Sequence, residues 1–302
     1  MNFPLPRTAL VAFVLCLTLL SALPCQAVLL VYEGYNGYSG SLGSVATPNP
    51  NANTVGLDTA TAYQGASVTN YAVNASSLTF GSNFATSGGS VTVPASTAVA
   101  AARISLSSSF SGGVLYSSYL IRINSRTTGT NDGGGTRLSN DITNGTERFL
   151  SYADSRTSSS STAIGYDSTV ATAPSGAVLS TSTTYLVVSR YTGVGTPSSG
   201  TGTLYVFTQA QYDAFFALGV NDTNLDNLSV ALGELTAKST DTGSTANGFA
   251  TGNYVHLVNQ GNSSTFDELR YASTLGEALG IPEPGAGALA LLGVALLFRR
   301  RR

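Results

Sequence analysis

From Val28 to about residue 275 the chain is built of short runs in which apolar and polar residues alternate with a period of two. Clusters of Gly, Asn, Asp, Ser and Pro separate the runs. A period of two puts successive side chains on opposite faces of a strand, so each run can bury one face against a core. The expected strands are Val28 to Tyr32, Ser67 to Val73, Ala98 to Leu106, Val114 to Ile123 and Arg148 to Tyr152. They continue with Thr184 to Tyr191, Thr203 to Thr208, Leu228 to Leu235, Tyr254 to Asn259 and Phe266 to Ala272. In the fourth, Tyr119, Ile121 and Ile123 alternate with Ser118, Leu120 and Arg122. This pattern predicts an all-β sandwich of one domain.

A single helix interrupts it. Gln209 to Leu218 carries Tyr212, Phe215, Phe216 and Leu218 near one stripe. Asn131 to Gly135 reads as a loop because of its three glycines, and Thr157 to Thr162 as a polar loop. Residues 273 to 281 read as a linker.

The two ends are different in kind. Arg7 is followed by an uncharged apolar stretch, Thr8 to Leu20, and by Ser21 to Ala27, which ends in a small residue. These are the three parts of a secretory signal helix, with cleavage expected after Ala27. Cys16 and Cys25 both lie in this leader, so the exported chain has neither a disulfide nor a thiol ligand.

At the other end, Pro282-Glu283-Pro284 precedes an apolar run from Gly285 to Phe298 and the tail Arg299, Arg300, Arg301 and Arg302. Fourteen residues make a helix of about 21 Å, a short transmembrane segment against a hydrocarbon core of roughly 30 Å. The arginines are expected to stay cytoplasmic, which leaves the rest of the chain outside. Together these parts resemble the PEP-CTERM sorting signal of Gram-negative bacteria. The resemblance implies that Pro282, Glu283 and Pro284 are recognised by an exosortase-type enzyme that removes the tail. It also implies transient anchoring in the inner membrane, then release to the cell surface or extracellular matrix. The chain thus divides into a signal peptide (1–27), an ectodomain (28–275), and a linker with sorting signal (276–302).

Between the ends the charge is clear. Without Arg7 and the four tail arginines, nine basic residues face sixteen acidic ones, a net charge near −7. An acidic, sparsely charged surface cannot neutralise phosphates, which excludes a nucleic-acid partner.

Three stretches resemble concanavalin-like and laminin-G-like jelly rolls. They are Tyr32-Glu33-Gly34-Tyr35-Asn36-Gly37-Tyr38, Tyr185 to Tyr191, and Phe266-Asp267-Glu268-Leu269-Arg270-Tyr271. The resemblance implies a jelly-roll sandwich.

Reactive side chains are few. His256 is the one histidine, expected as a partly exposed structural residue on its strand. Asp267 and Glu268 are adjacent, so a regular strand points them to opposite faces, where they cannot flank one glycosidic bond. With Arg270 they read as a structural strand end. Asp222, Asn224 and Asp226 alternate like the start of a calcium loop, but Asn227 stands where such a loop has glycine. They are the calcium candidates, beside the alternative of a turn after the helix. The scarcity of catalytic groups argues against an enzyme. A structural, exopolysaccharide-associated surface protein ranks first, a carbohydrate-binding adhesion module second, and a secreted hydrolase third.

Overall fold

A computed structural model describes residues 28–44, 54–58, 60–65, 68–95, 100–110, 112–126, 133–139, 147–152, 163–166, 169–170, 175–176, 179–194, 200–242 and 252–281. Leu29–Ile281 forms one compact unit. It contains two antiparallel sheets.

The larger sheet has nine strands. In spatial order they are β10 (Ser175–Gly176), β13 (Ala237–Thr242), β12 (Thr201–Phe207), β11 (Thr184–Val194), β5 (Gly113–Ser125), β15 (Ser263–Ala272), β3 (Ser90–Val93) and β2 (Ala72–Asn74). The ninth, β1 (Leu29–Glu33), pairs with the second half of β15, beyond the part that β3 pairs. The smaller sheet runs β4 (Ala100–Phe110), β14 (Gly252–Gln260), β6 (Gly133–Ser139), β7 (Glu147–Tyr152), β8 (Ala163–Tyr166) and β9 (Thr169–Val170).

The alternation in the sequence decides what faces what. Tyr119, Ile121 and Ile123 of β5, Val187 of β11, Val206 of β12 and Phe266 of β15 pack between the sheets. From the smaller sheet they meet Ile104, Leu138, Val255 and Leu257. A buried tyrosine needs a partner for its hydroxyl, and for three of them the partner lies across the sandwich. Tyr119 donates to the Ser151 carbonyl at 2.8 Å, Tyr71 donates to the Leu257 carbonyl at 3.0 Å, and Tyr271 Oη bonds Thr136 Oγ1 at 3.1 Å.

The alternate residues of the larger sheet are buried too. Tyr116, Leu120, Leu186, Val188, Tyr205 and Phe207 lie under a third layer. That layer comprises α1 (Gln209–Leu218), α2 (Asp222–Asn227), α3 (Leu275–Ala278) and the segment around Leu78, Phe80 and Phe84. Helix α1 coincides with its expected range. Thr208 caps it, its hydroxyl accepting the Gln211 amide while Gln211 Oε1 accepts the Thr208 amide.

Several expectations are corrected. Leu228 to Leu235 is no strand but a turn, whose Leu228 and Leu235 fill the helical layer instead of a ladder. Ser67 to Val73 resolves into a 3-10 turn, Val68–Asn70, and the three-residue β2. Gly133 to Gly135 belong to β6 and not to a loop. A Cβ on Gly134 would stand 3.1 Å from Phe266 Cζ and 3.2 Å from Ile121 Cδ1, so the close approach of the sheets explains the glycine. Residues 273–281 include α3, whose Leu275 and Ala278 are buried, and are no simple linker.

Candidate functional site

Along its strands the outer face of the larger sheet changes character. Helices cover Tyr116 and Leu120 of β5, but the same face continues into Arg122 and Asn124, both half-buried. The register places Thr184 and Thr265 on either side of Arg122, Thr92 beside Thr265, and Ala72 beside Thr92. Four adjacent strands thus put one row of polar groups on one face, about 14 Å wide at ~4.8 Å per strand gap, with Ala72 of the fifth strand beside it.

Hydrogen bonds hold this row. Asn74 Nδ2 donates to Thr92 Oγ1 at 2.9 Å, and Thr92 and Thr265 share a 2.8 Å hydroxyl contact. Asn124 Nδ2 donates to Thr265 Oγ1 at 2.9 Å, and Arg122 Nε donates to Asn124 Oδ1 at 3.2 Å. Side chains fixed in this way present their remaining donors and acceptors in defined directions.

Two residues further along β15 lies a second polar cluster, buried and of a different kind. The strand is bulged between Asp267 and Arg270, where its neighbour changes from β3 to β1. Glu268 adopts φ +52° there, a left-handed backbone that bulges accommodate. Asp267 Oδ2 accepts the Ser77 hydroxyl at 2.5 Å and the Leu78 amide at 2.7 Å. Glu268 accepts the Ser87 amide and a 2.7 Å bond from Arg270 Nη2. The Arg270 guanidinium packs over the rings of Tyr32 and Phe84. On β1, Glu33 accepts from the Tyr35 amide at 2.8 Å, Tyr63 Oη at 2.8 Å and Tyr38 Oη at 3.0 Å.

Burial raises all three acids. It pushes Glu33 up to about 7 against the pull of its tyrosine donors. It pushes Asp267 up to about 8, although Ser77 and the Leu78 amide oppose the shift. Glu268 is also raised by burial, with Arg270 opposing. Apart from the Arg270–Glu268 pair within β15, each hydrogen bond named for these acids ties a loop to the sheet.

A third polar group lies at α2. Arg190 makes a two-pronged pair with Asp226, at 2.8 and 3.0 Å, and Tyr205 donates to Asp226 Oδ1 at 2.6 Å. Tyr116 donates to Asp222 Oδ2 at 2.7 Å. Burial raises Asp226, but Tyr205 and Arg190 more than compensate and hold it below its usual value. An apolar groove of about 300 Å³ separates α1 from the 228–234 turn and is lined by Phe215, Leu218 and Leu228.

No protein-family model matches the chain, and no curated protein matches it. Solved structures do. The globular domain of T. cruzi calreticulin aligns over 89% of this chain and all of its own, at 10% identity and a TM-score of 0.42. The exoplasmic/lumenal domain of VIP36, bound to Ca2+ and Man3GlcNAc, covers 68% of this chain and 86% of its own at 9% identity and TM-score 0.38. A carbohydrate esterase of the Shiga toxin-encoding bacteriophage phi24B covers 82% and 99% at 7% identity and TM-score 0.35. At these identities and scores, the likenesses bear on neither ligand nor activity.

The residues singled out from the sequence fall as follows. Asp222, Asn224 and Asp226 belong to a helix capped by Asn221, not to a calcium loop, and their side chains serve the bonds above or the end of α1. Among the described residues no group of three or more acidic, histidine or cysteine side chains could hold a metal ion. His256 is 1% exposed, deeper than expected, because β14 is the second strand of the smaller sheet and is flanked by β4 and β6. Ala27, Pro282, Glu283, Pro284 and Arg299 to Arg302 lie outside the described residues, as do the expected signal helix and the run 285–298. No helix among the described residues is long and apolar enough to cross a membrane.

Sequence reasoning missed the row from Asn74 to Arg122. The alternation that put Ile121 inside also put Arg122 and Asn124 on the other face, but which strands lie beside them is a matter of topology.

Proposed function

We propose that this chain is an exported, non-enzymatic component of the cell surface or extracellular matrix, and that it associates with extracellular polysaccharide. The observation that carries the reading is the row Thr184, Arg122, Thr265, Thr92 with Asn124 and Asn74. Polysaccharides offer hydroxyls repeatedly along a chain, and their recognition needs amide, hydroxyl and guanidinium groups spread over a surface. Individual bonds of this kind are weak, and repetition along the polymer supplies the avidity. The width of the row suits a stretch of polymer better than a single sugar ring.

Other features support the rest. The leader, the Pro282-Glu283-Pro284 tripeptide, the apolar run and the arginine tail resemble a signal that routes a chain through the inner membrane to an exosortase-type enzyme. We read the sandwich as a jelly roll of the concanavalin or laminin-G kind. Against catalysis stand the deep burial of His256 and the engagement of Glu33, Asp267 and Glu268 in holding loops. A lectin-like adhesion role is the second reading, and the fixed direction of the Asn74 and Asn124 amides favours it.

Affinity electrophoresis of the full-length chain through gels containing neutral and acidic polysaccharides tests the association. Retardation by one or more polymers is expected, and free migration through all of them overturns it. Epitope tags before Pro282 and after Arg302, in a host with exosortase, test the sorting. Loss of the second tag alone is expected, whereas persistence of both in one membrane-bound species overturns it.

A further inference from the structure

We infer that the polar row is selective for an acidic polysaccharide, with Arg122 reading a sugar carboxylate. The inference rests on the polysaccharide reading above and specifies its ligand. Three features of Arg122 carry it.

First, Arg122 has no carboxylate of its own among the described residues. On the outer face of the same sheet, Arg190 has Asp226 and Arg270 has Glu268. Arg122 bonds only Asn124, through Nε, and its two terminal nitrogens make no hydrogen bond among the described residues. In a domain whose acidic residues outnumber its basic ones, an unpaired guanidinium on a polar face is conspicuous.

Second, it is tethered through one nitrogen only. The Nε bond to Asn124, itself bonded to Thr265, leaves the Nη1–Nη2 edge of the guanidinium without a hydrogen bond among the described residues. That edge offers two parallel N–H groups, the geometry that takes a carboxylate in two-pronged fashion.

Third, among the described residues the row itself carries no competing negative charge. The other members of the row are Thr184, Thr265 and Thr92, with Ala72 beside it. Further along the same face of β15, Asp267 is spent on Ser77, Leu78 and the Glu268 amide. Past Asn124 the chain continues into a second cation, Arg126, which donates to the Leu179 carbonyl. A sugar carboxylate therefore meets the Arg122 guanidinium here with no described carboxylate of the row competing for it.

The test compares three polymers by affinity electrophoresis of the full-length chain: polygalacturonate, its methyl ester and dextran. Polygalacturonate is expected to bind about tenfold more tightly than either neutral polymer, the value of one charge-assisted contact. Arg122→Gln is expected to abolish that preference, bringing binding to polygalacturonate down to the variant's own level for dextran, with the melting temperature unchanged. Arg122→Lys keeps the charge without the fork and is expected to recover only part. Equal binding of all three polymers by the native chain overturns the inference but leaves the polysaccharide reading standing, and so does a preference that survives in Arg122→Gln. Full recovery in Arg122→Lys overturns the two-pronged geometry. Binding to none of the three overturns the polysaccharide reading as well. The methyl ester removes the carboxylates from the ligand, so the native chain alone decides between charged and neutral polymer even if a variant does not fold.

Discussion

The Tyr63 hydroxyl donates to Glu33 Oε2 across 2.8 Å in the interior of the sandwich, 30 residues away along the chain. Tyr38 and the Tyr35 amide complete a shell of donors around the same carboxylate, and none of the three is a cation. A carboxylate so placed gains hydrogen bonds when charged but loses its hydration, and the loss dominates.

The sign of the resulting pH dependence follows. Glu33 is raised from 4.5 to about 7, and Asp267 from 3.8 to about 8. A raised acid contributes stability that is full below its unfolded value and is lost as pH rises through its folded value. The melting temperature is therefore expected to fall between pH 5 and pH 8. Glu33→Gln should flatten this decline at its lower end, and scanning fluorimetry across the range checks both. A melting temperature that rises from pH 5 to pH 8 would contradict the assignment.

At the bulge, Arg270→Leu leaves Glu268 buried without its cation. Removing one member of a buried pair costs about 3–5 kcal/mol. The double variant Arg270→Leu with Glu268→Leu removes both charges and should be less destabilised than the single one. Urea denaturation of the three proteins gives the comparison.

Gly134→Ala tests the close approach of the two sheets. Its new methyl meets Phe266 and Ile121 at 3.1 and 3.2 Å and Asn259 Oδ1 at 3.0 Å. Overpacking of this kind costs about 1–3 kcal/mol. The fall in urea midpoint is expected without a change in slope.

Thr265→Val keeps the shape and removes the hydroxyl that joins Thr92 to Asn124. Thr265 is 1% exposed, so Asn124 loses a buried partner at a cost of about 1 kcal/mol. Because Asn124 orients Arg122, binding to any retained polysaccharide should weaken as well. Unchanged binding would show that the row does not act as a unit.

How much of this was legible in the sequence depended on whether the cause was local. Helix α1 could be read because Tyr212 and Phe215 share a stripe, and its cap by Thr208 and Gln211 is equally local. Strand β5 could be read because its alternation is its own. The Gly133 to Gly135 run could not, since what calls for glycine at 134 is the proximity of Phe266 and Ile121, more than a hundred residues away for the first. Leu228 to Leu235 misled because its leucines are buried by helices. The acids at the bulge were recognised as structural, yet the regular alternation assigned to Asp267 and Glu268 could not anticipate a break in register. The polar row was hidden for the same reason: β2, β3, β5, β11 and β15 come together only in space.

That β15 occupies the middle of the larger sheet has a temporal consequence. Leu29 near the start of the domain pairs with Ala272 near its end, and β5, from the centre of the sequence, pairs with the same late strand. As the ribosome delivers the chain, β1, β3 and β5 must wait for Ser263 to Ala272 before they can be joined. Contacts of such sequence separation make folding slow. The larger sheet therefore stays divided until Ser263 to Ala272 has been made, however much of the chain before it is already free to fold.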